Sequence, residues 1–236
     1  MVFSFIMIPL TDRTEFAWVA EHRFKKLNRA MEVGAYMGKF AAHNLRHWTG
    51  KYYMCDTWDI VRGDDKREDI EKERPHDKNG HNGLVHTLEA TSFAKERVHP
   101  IKGFSTAVAA KFPDEYFDWI YTDAMHDYKN VADDLRAWFP KLRKGGLLSG
   151  DDFWNSEQAF TDYEQSTHAV LNDDELELIK LVHTGARPDI KFTGIPARYK
   201  WGVSLAVLEF SKQYHLVPHV TFCNHKYPFP AWYLVK

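Results

Sequence analysis

Cysteine is nearly missing from this chain: among 236 residues only Cys55 and Cys223 occur. Two thiols cannot build a disulfide framework, and their separation lacks zinc-ligand spacing. Reduced thiols in the cytoplasm are the expectation. There is no basic excess either. Lys plus Arg total 31 against 33 Asp plus Glu, a net charge of −2, so no nucleic-acid partner is expected. Long apolar runs are also lacking. The opening MVFSFIMIPL has no basic stretch before it and soon meets Asp12, Arg13 and Glu15. It is read neither as a signal peptide nor as a span, which needs roughly 20 apolar residues. A soluble protein without a membrane partner is expected. What is present is 44% hydrophobic residues, 15% aromatics and eight Trp, enough to bury a core and exclude wholesale disorder. The length suits one domain spanning 1–236.

Short β-like runs alternate with helical patterns, which predicts an α/β fold around a mostly parallel sheet. Strands are expected at Ala30 to Val33, Tyr52 to Cys55, Val98 to Lys102, Phe117 to Thr122 and Leu147 to Gly150. Two closing strands are expected near Val217 to Phe222 and Trp232 to Val235. Met37, Phe40, Ala41, Leu45 and Trp48 recur at helical spacing, as do Val131, Leu135 and Trp138, and later Val203, Ala206, Val207 and Phe210. Ser105 to Phe112 reads as a short helix. Gly145-Gly146 reads as a break before the fifth strand. Two stretches escape the alternation: a polar insertion at 62–83 and a mixed one at 153–200. Each leaves from a strand's carboxyl end, where open α/β sheets place their ligand crevice.

The first strand delivers Glu32-Val33-Gly34-Ala35-Tyr36-Met37-Gly38. A glycine there lets the backbone approach a ligand, and the next helix start offers N–H groups to an anion. Asp56 follows 22 residues after Gly34, where a carboxylate would receive ribose hydroxyls. The GxxxG spacing fits a single-nucleoside cofactor better than a dinucleotide. Further on, Asp123 closes the fourth strand with His126 behind it, and Asp151-Asp152 close the fifth. Neighbouring strands lie about 5 Å apart, so these carboxylates can converge, and a hard divalent cation relieves their repulsion. An all-oxygen set favours Mg²⁺, Mn²⁺ or Ca²⁺. Asp-Asp alone is more often a loop cap; in register with Asp123 and His126, the metal reading is preferred. His126, unperturbed near pKa ~6.5, suits a general base; its plainer alternative is a hydrogen-bonded residue at a helix start. His76, His81 and His86 are too irregularly spaced for a zinc cluster.

The run FDWIYTDAMHDYKNVADDLRAWFPKLRKGGLLSGDDF, from Phe117 to Phe153, resembles class I S-adenosylmethionine-dependent methyltransferases. It is most similar to the macrocin O-methyltransferase-like family, which includes metal-dependent sugar O-methyltransferases. Glu32 to Gly38 matches that family's cofactor loop, Trp201 to Phe210 its late helix and Ala231 to Lys236 its last strand. The resemblance implies a Rossmann-like seven-stranded sheet with the last strand antiparallel and helices on both faces. It places Gly34, Ala35 and Tyr36 at the methionine part of S-adenosylmethionine and Asp56 at the ribose. Gly103, Phe104 and Ser105 fall near the adenine. Asp123, at the end of the neighbouring strand, counts with the cofactor crevice as well. Asp123, Asp151 and Asp152 align with the metal ligands, and His126 with a catalytic base. Met125 stands where other members carry an acidic residue, and catechol-type relatives place lysine at the His126 position. The implied activity is divalent-metal-assisted methylation of a hydroxyl on a sugar or glycosylated small molecule. A catechol-like phenol acceptor, or a non-catalytic nucleoside-binding protein, is the alternative. Assembly into a homo-oligomer is left open.

Overall fold

The central strands here are largely apolar runs cut off by Asp or Gly. The computed structural model describes residues 10, 12–23, 28–58, 83–126, 128–153, 202–221 and 230–236. Phe117–Thr122 shows the principle: five of its six residues are buried, as a strand covered on both faces requires. In chain order the described elements are α1 (Phe16–Arg23), β1 (Arg29–Val33), α2 (Lys39–Asn44), β2 (Lys51–Asp56), α3 (Gly83–Ala90) and β3 (Val98–Lys102). There follow α4 (Ser105–Ala109), β4 (Phe117–Thr122), α5 (Tyr128–Trp138), β5 (Leu142–Gly150), α6 (Val203–Tyr214), β6 (His219–Val220) and β7 (Trp232–Val235).

The seven strands form one sheet in the order β3-β2-β1-β4-β5-β7-β6. Strands β1 to β5 pair in parallel, while β7 runs antiparallel to both β5 and β6. The expected seven-stranded, mostly parallel α/β fold is the one observed. Because the chain winds outward from β1 to β3 and then resumes at β4 on the other side, the order reverses between β1 and β4. Crevices form at such switch points, beyond the carboxyl ends of the strands.

Helices cover both faces. On one, Val131, Leu135 and Trp138 of α5 pack with Val207 and Phe210 of α6, the i, i+4, i+7 stripe of an amphipathic helix. On the other, Phe16, Ala17 and Ala20 of α1 meet Ala41 of α2, Leu45 and Trp48. The helix α1 and the helix α3 are not anticipated by the sequence reading.

The Gly145-Gly146 pair does not precede the fifth strand. It lies within β5, which starts at Leu142. Leu142 faces Phe117 and Leu147 faces Trp119, so the register slips between them and residues 143–146 bulge. Gly145 takes φ +72°, and a Cβ on Gly146 would lie 2.9 Å from the Asp118 carbonyl oxygen. Glycine here permits a bulge rather than ending a strand. Most of the 62–83 and 153–200 insertions lies outside the described residues, as do Phe222 and Cys223 of the sequence expectations.

Candidate active site

One row of the sheet assembles the site. Val33 is in register with Cys55 on one side and Thr122 on the other, and Thr122 with Gly150. The next residue on each strand is therefore Gly34, Asp56, Asp123 or Asp151. Backbone bonds carry the ladder that one step further: Gly34 N donates to Cys55 O (2.8 Å), Asp123 N to Val33 O (2.8 Å) and Asp151 N to Thr122 O (3.4 Å). Parallel register thus converts positions far apart in the chain into neighbours.

On the β1–β2 side the loop is tightly made. Gly34 has φ +93°, and an added Cβ would stand 2.0 Å from the Asp123 carbonyl oxygen. No side chain fits. Tyr36, half-exposed, also has positive φ (48°), a costly conformation for a bulky residue. It is held from both sides. Tyr36 N donates to Asp56 Oδ2 at 2.8 Å, while its carbonyl accepts from Trp58 Nε1 (2.9 Å) and Thr87 Oγ1 (3.0 Å). Trp58 N donates to the other Asp56 oxygen at 2.8 Å. Both Asp56 oxygens are thereby oriented yet keep lone pairs for a further donor. Gly103 N donates to Asp56 O at 2.9 Å, which brings the Gly103–Ser105 turn alongside. The Ser105 hydroxyl accepts from Trp138 Nε1 at 2.7 Å, tying that turn to α5. Ala35 is buried behind the loop. Trp58 and Thr87, which fix the Tyr36 backbone, were not foreseen; neither carries a motif of its own.

Behind the loop, the Glu32 carboxyl is fully buried and accepts from Tyr52 OH at 2.5 Å. Burial pushes its pKa up to about 8, against the lowering effect of the Tyr52 bond.

On the β4–β5 side acidic groups crowd. His126 Nε2 lies 3.2 Å from Asp123 Oδ1 and 3.0 Å from Asp152 Oδ2. One ligand atom from each of Asp123, His126 and Asp152 falls within 4.8 Å of the others, a spacing that one cation can span. Asp152 reaches this place with φ +59°. Asp151 faces elsewhere: its Oδ2 receives Arg13 Nη1, which also lies 3.2 Å from Asp123 Oδ2. The expected three-carboxylate set is therefore brought together in two parts, Asp123–His126–Asp152 and Asp123–Arg13–Asp151. His126 adds a nitrogen to the all-oxygen set anticipated.

Burial raises the pKa values of Asp151 and Asp152, and the Asp123 charge adds to both. For His126, burial acts downward, but the Asp123 hydrogen bond and the Asp152, Asp123 and Asp151 charges outweigh it and lift the pKa to about 9. The imidazole is thus charged at neutral pH in this arrangement, whereas the sequence reading started from an ordinary value. Arg13 is likewise held above its usual range: burial lowers it, and Tyr121, Asp151 and Asp123 more than compensate. Nothing in the residue spacing announces Arg13. The nearest signal is Asp12 followed by an apolar helix, since Asp12 Oδ1 caps Thr14 N at 2.8 Å. A pocket lined by Thr122, Asp123, Met125, His126, Asp151 and Trp232 opens beside the cluster.

The donor set fits a hard divalent ion: carboxylates in excess of cations, and oxygens with an imidazole nitrogen at ligand spacing. Among the described residues, no helix is long and apolar enough to cross a membrane.

Comparison with known proteins bears on this geometry. The profile of a family described as a methyltransferase domain matches residues 31–153, from β1 through the Asp151-Asp152 pair. No curated protein matches by sequence. Solved structures share the fold. One from Klebsiella pneumoniae, assigned as an O-methyltransferase, is 16% identical with a TM-score of 0.52, over 94% of this chain and 78% of that one. The O-methyltransferase of Bacillus cereus, in complex with SAH, is 14% identical with a TM-score of 0.51, over 94% and 80%. A Staphylococcus aureus protein assigned as a caffeoyl-CoA O-methyltransferase is 14% identical with a TM-score of 0.52, over 97% and 86%.

Proposed function

The chain belongs to the methyltransferase-domain family, and on that premise we propose that it is an S-adenosylmethionine-dependent O-methyltransferase whose acidic cluster holds Mg²⁺ or Mn²⁺ beside the acceptor. The observation that carries this reading is the single row of strand ends. It sets the Gly34 loop and Asp56 next to Asp123 and Asp151 at the switch point.

The residues divide the work. Gly34, Ala35 and Tyr36 present backbone to the methionine part, Asp56 receives the ribose hydroxyls, and Gly103, Phe104 and Ser105 border the adenine. Asp123, Asp152 and His126 face the acceptor side, with Asp151 adjoining. A divalent ion held by these carboxylates would supply Lewis-acid stabilisation of charge developing on the acceptor oxygen. The sulfur–methyl bond breaks as the oxygen–methyl bond forms, and the hydroxyl proton passes to His126, which acts as the base while the carboxylates alone hold the ion. Charged as it stands, His126 accepts a proton only when its two carboxylate partners are neutralised by something other than itself. Pre-positioning matters because an aliphatic hydroxyl is a poor nucleophile.

The acceptor is a vicinal hydroxyl of a sugar or glycosylated small molecule, supported by the resemblance of the Phe117 to Phe153 run to sugar O-methyltransferases. A catechol-like phenol is the second reading, favoured by the fold shared with the caffeoyl-CoA-type protein. A cytoplasmic location is proposed with it, where the buried thiol of Cys55 stays reduced.

Calorimetry with S-adenosylmethionine, followed by mass spectrometry of a sugar and catechol panel with Mn²⁺ or with EDTA, tests the reading. Binding together with Mn²⁺-dependent methyl gain on a diol is expected. Cofactor binding with no turnover on any diol, with or without the ion, overturns it in favour of a nucleoside-binding protein.

A further inference from the structure

The acidic cluster already holds a cation of the protein's own. The Arg13 guanidinium reaches it from a segment 110 residues before Asp123 and 138 before Asp151, and its Nη1 contacts a carboxylate oxygen of each. The contact is built rather than incidental. Arg13 opens a 3-10 turn, Arg13–Glu15, whose start is capped by Asp12, and the helix α1 that follows is pinned by Phe16. Phe16 is fully buried, with its ring 5.9 Å from that of Tyr121 and 6.0 Å from that of Tyr233. His43 of α2 holds Thr14 O at 3.0 Å. The Arg13 backbone therefore sits in one place, while the side chain is long enough to choose between partners. In the same position the guanidinium carbon lies 5.0 Å from the Phe40 ring, within cation–π range, so one face of the group rests on an aromatic while its Nη1 bridges the carboxylates.

Guanidinium is charged at every accessible pH. A divalent ion bound through Asp123 would meet that positive charge on the same carboxylate, and Asp151 would be unavailable to it. We propose that Arg13 is a built-in counter-cation: it offsets the charge of Asp123 and Asp151 in the ion-free protein and must release them for a divalent ion to bind. Ion affinity is then set by a competition within the chain. This rests on the reading of the cluster as an ion site.

Competition has a measurable signature. When the binding-competent state is a minor one, apparent affinity falls by the fraction populated, and removing the competitor restores it. A competent fraction of ~10% or less makes the wild type bind at least about tenfold more weakly than a variant without the guanidinium. The test is Mn²⁺ binding by calorimetry to the full chain, comparing wild type, Arg13→Gln and Asp123→Asn. Thermal melts of the same proteins run with and without Mn²⁺. Arg13→Gln is expected to bind Mn²⁺ at least about tenfold tighter than wild type. It is also expected to melt lower without the ion and to gain more from Mn²⁺. Binding to Arg13→Gln that is equal to or weaker than wild type overturns the competition while leaving the ion site standing. No binding to either protein above the Asp123→Asn level overturns both. Should Arg13→Gln fail to fold, a crystal of the wild type soaked in MnCl₂ decides. Anomalous density at Asp123 with the guanidinium withdrawn supports the proposal, and Mn²⁺ at Asp123 with Arg13 still bridging to Asp151 overturns it.

Discussion

Strand β4 carries a buried aspartate near its start, and a partly exposed one follows just past its end; the two live in opposite conditions. Asp118 is saturated. Its Oδ2 accepts from Asn28 N (2.8 Å) and Arg29 N (3.0 Å), and its Oδ1 from Arg143 Nε. Asp123 shares Arg13 and His126 with Asp151 and Asp152, so three carboxylates divide two cations. A buried carboxylate with all its donors supplied locally is structure. Carboxylates that outnumber their cations at the mouth of a crevice mark a candidate site, because a bound cation would relieve their repulsion. The difference lies in the company each aspartate keeps, not in residue type.

Substituting each in turn should separate the two roles. The largest effect is expected from Asp123→Asn: methyl transfer falls roughly 10³-fold through loss of charge stabilisation at the acceptor. Its thermal midpoint stays close to wild type or rises, because repulsion among the carboxylates is relieved. A turnover assay paired with a melt reads both, and retained turnover would dissolve the distinction.

Asp118→Asn should do the reverse. Leaving Arg143 without its charge partner in a largely buried pair costs about 3 kcal/mol in denaturant unfolding, with Mn²⁺ affinity unchanged. A shift in ion affinity would show that the two ends of β4 communicate.

Glu32 sharpens the comparison, since it is buried like Asp118 yet lies at the crevice end. Its pKa is raised to about 8 from an ordinary 4.5, so the native state keeps a proton that the unfolded chain releases earlier. The stability from its neutral form is complete below about 4.5 and is lost as pH rises through about 8. Glu32→Gln, which mimics the neutral form, should remove this slope. The variant should gain on wild type by an amount on the order of 3 kcal/mol between pH 5 and 8, followed by chemical denaturation across that range. Parallel pH profiles for the two proteins would count against a protonated Glu32.

The smallest effect belongs to the side of the sheet away from the crevice, where Lys236 meets the start of β5. Lys236 Nζ donates to Phe139 O (2.9 Å) and Leu142 O (2.6 Å), fastening β7 to the start of β5. Lys236→Met should cost about 1 kcal/mol without altering cofactor affinity, as measured by parallel melts and calorimetry.

Much of this was legible before the fold was known, and the successes have a common cause. β4 is legible to its bounds because it is a buried, largely apolar run stopped by Asp123, and β3, despite His99, Pro100 and Lys102, because Gly103 stops it. Asp56, Asp123 and Asp151 stand at strand ends, as their places after apolar runs imply. The failures share a cause too. Gly145-Gly146 looks like a break in one dimension and becomes a bulge only because Asp118 on the neighbouring strand leaves no room for a Cβ. Arg13 reads as a charge closing an apolar stretch. The raised pKa of His126 escapes the sequence because spacing does not show that the Asp123 carboxylate bonds the ring, and Asp152 joins it from another strand end.

Local chemistry decides where a strand stops, which side chain caps a turn and which face of a helix is apolar, and these are properties of neighbours along the chain. Register across the sheet, the guanidinium among the carboxylates and the resulting proton affinities depend on partners more than a hundred residues away in the case of Arg13. Packing selects those partners only after every element is in place.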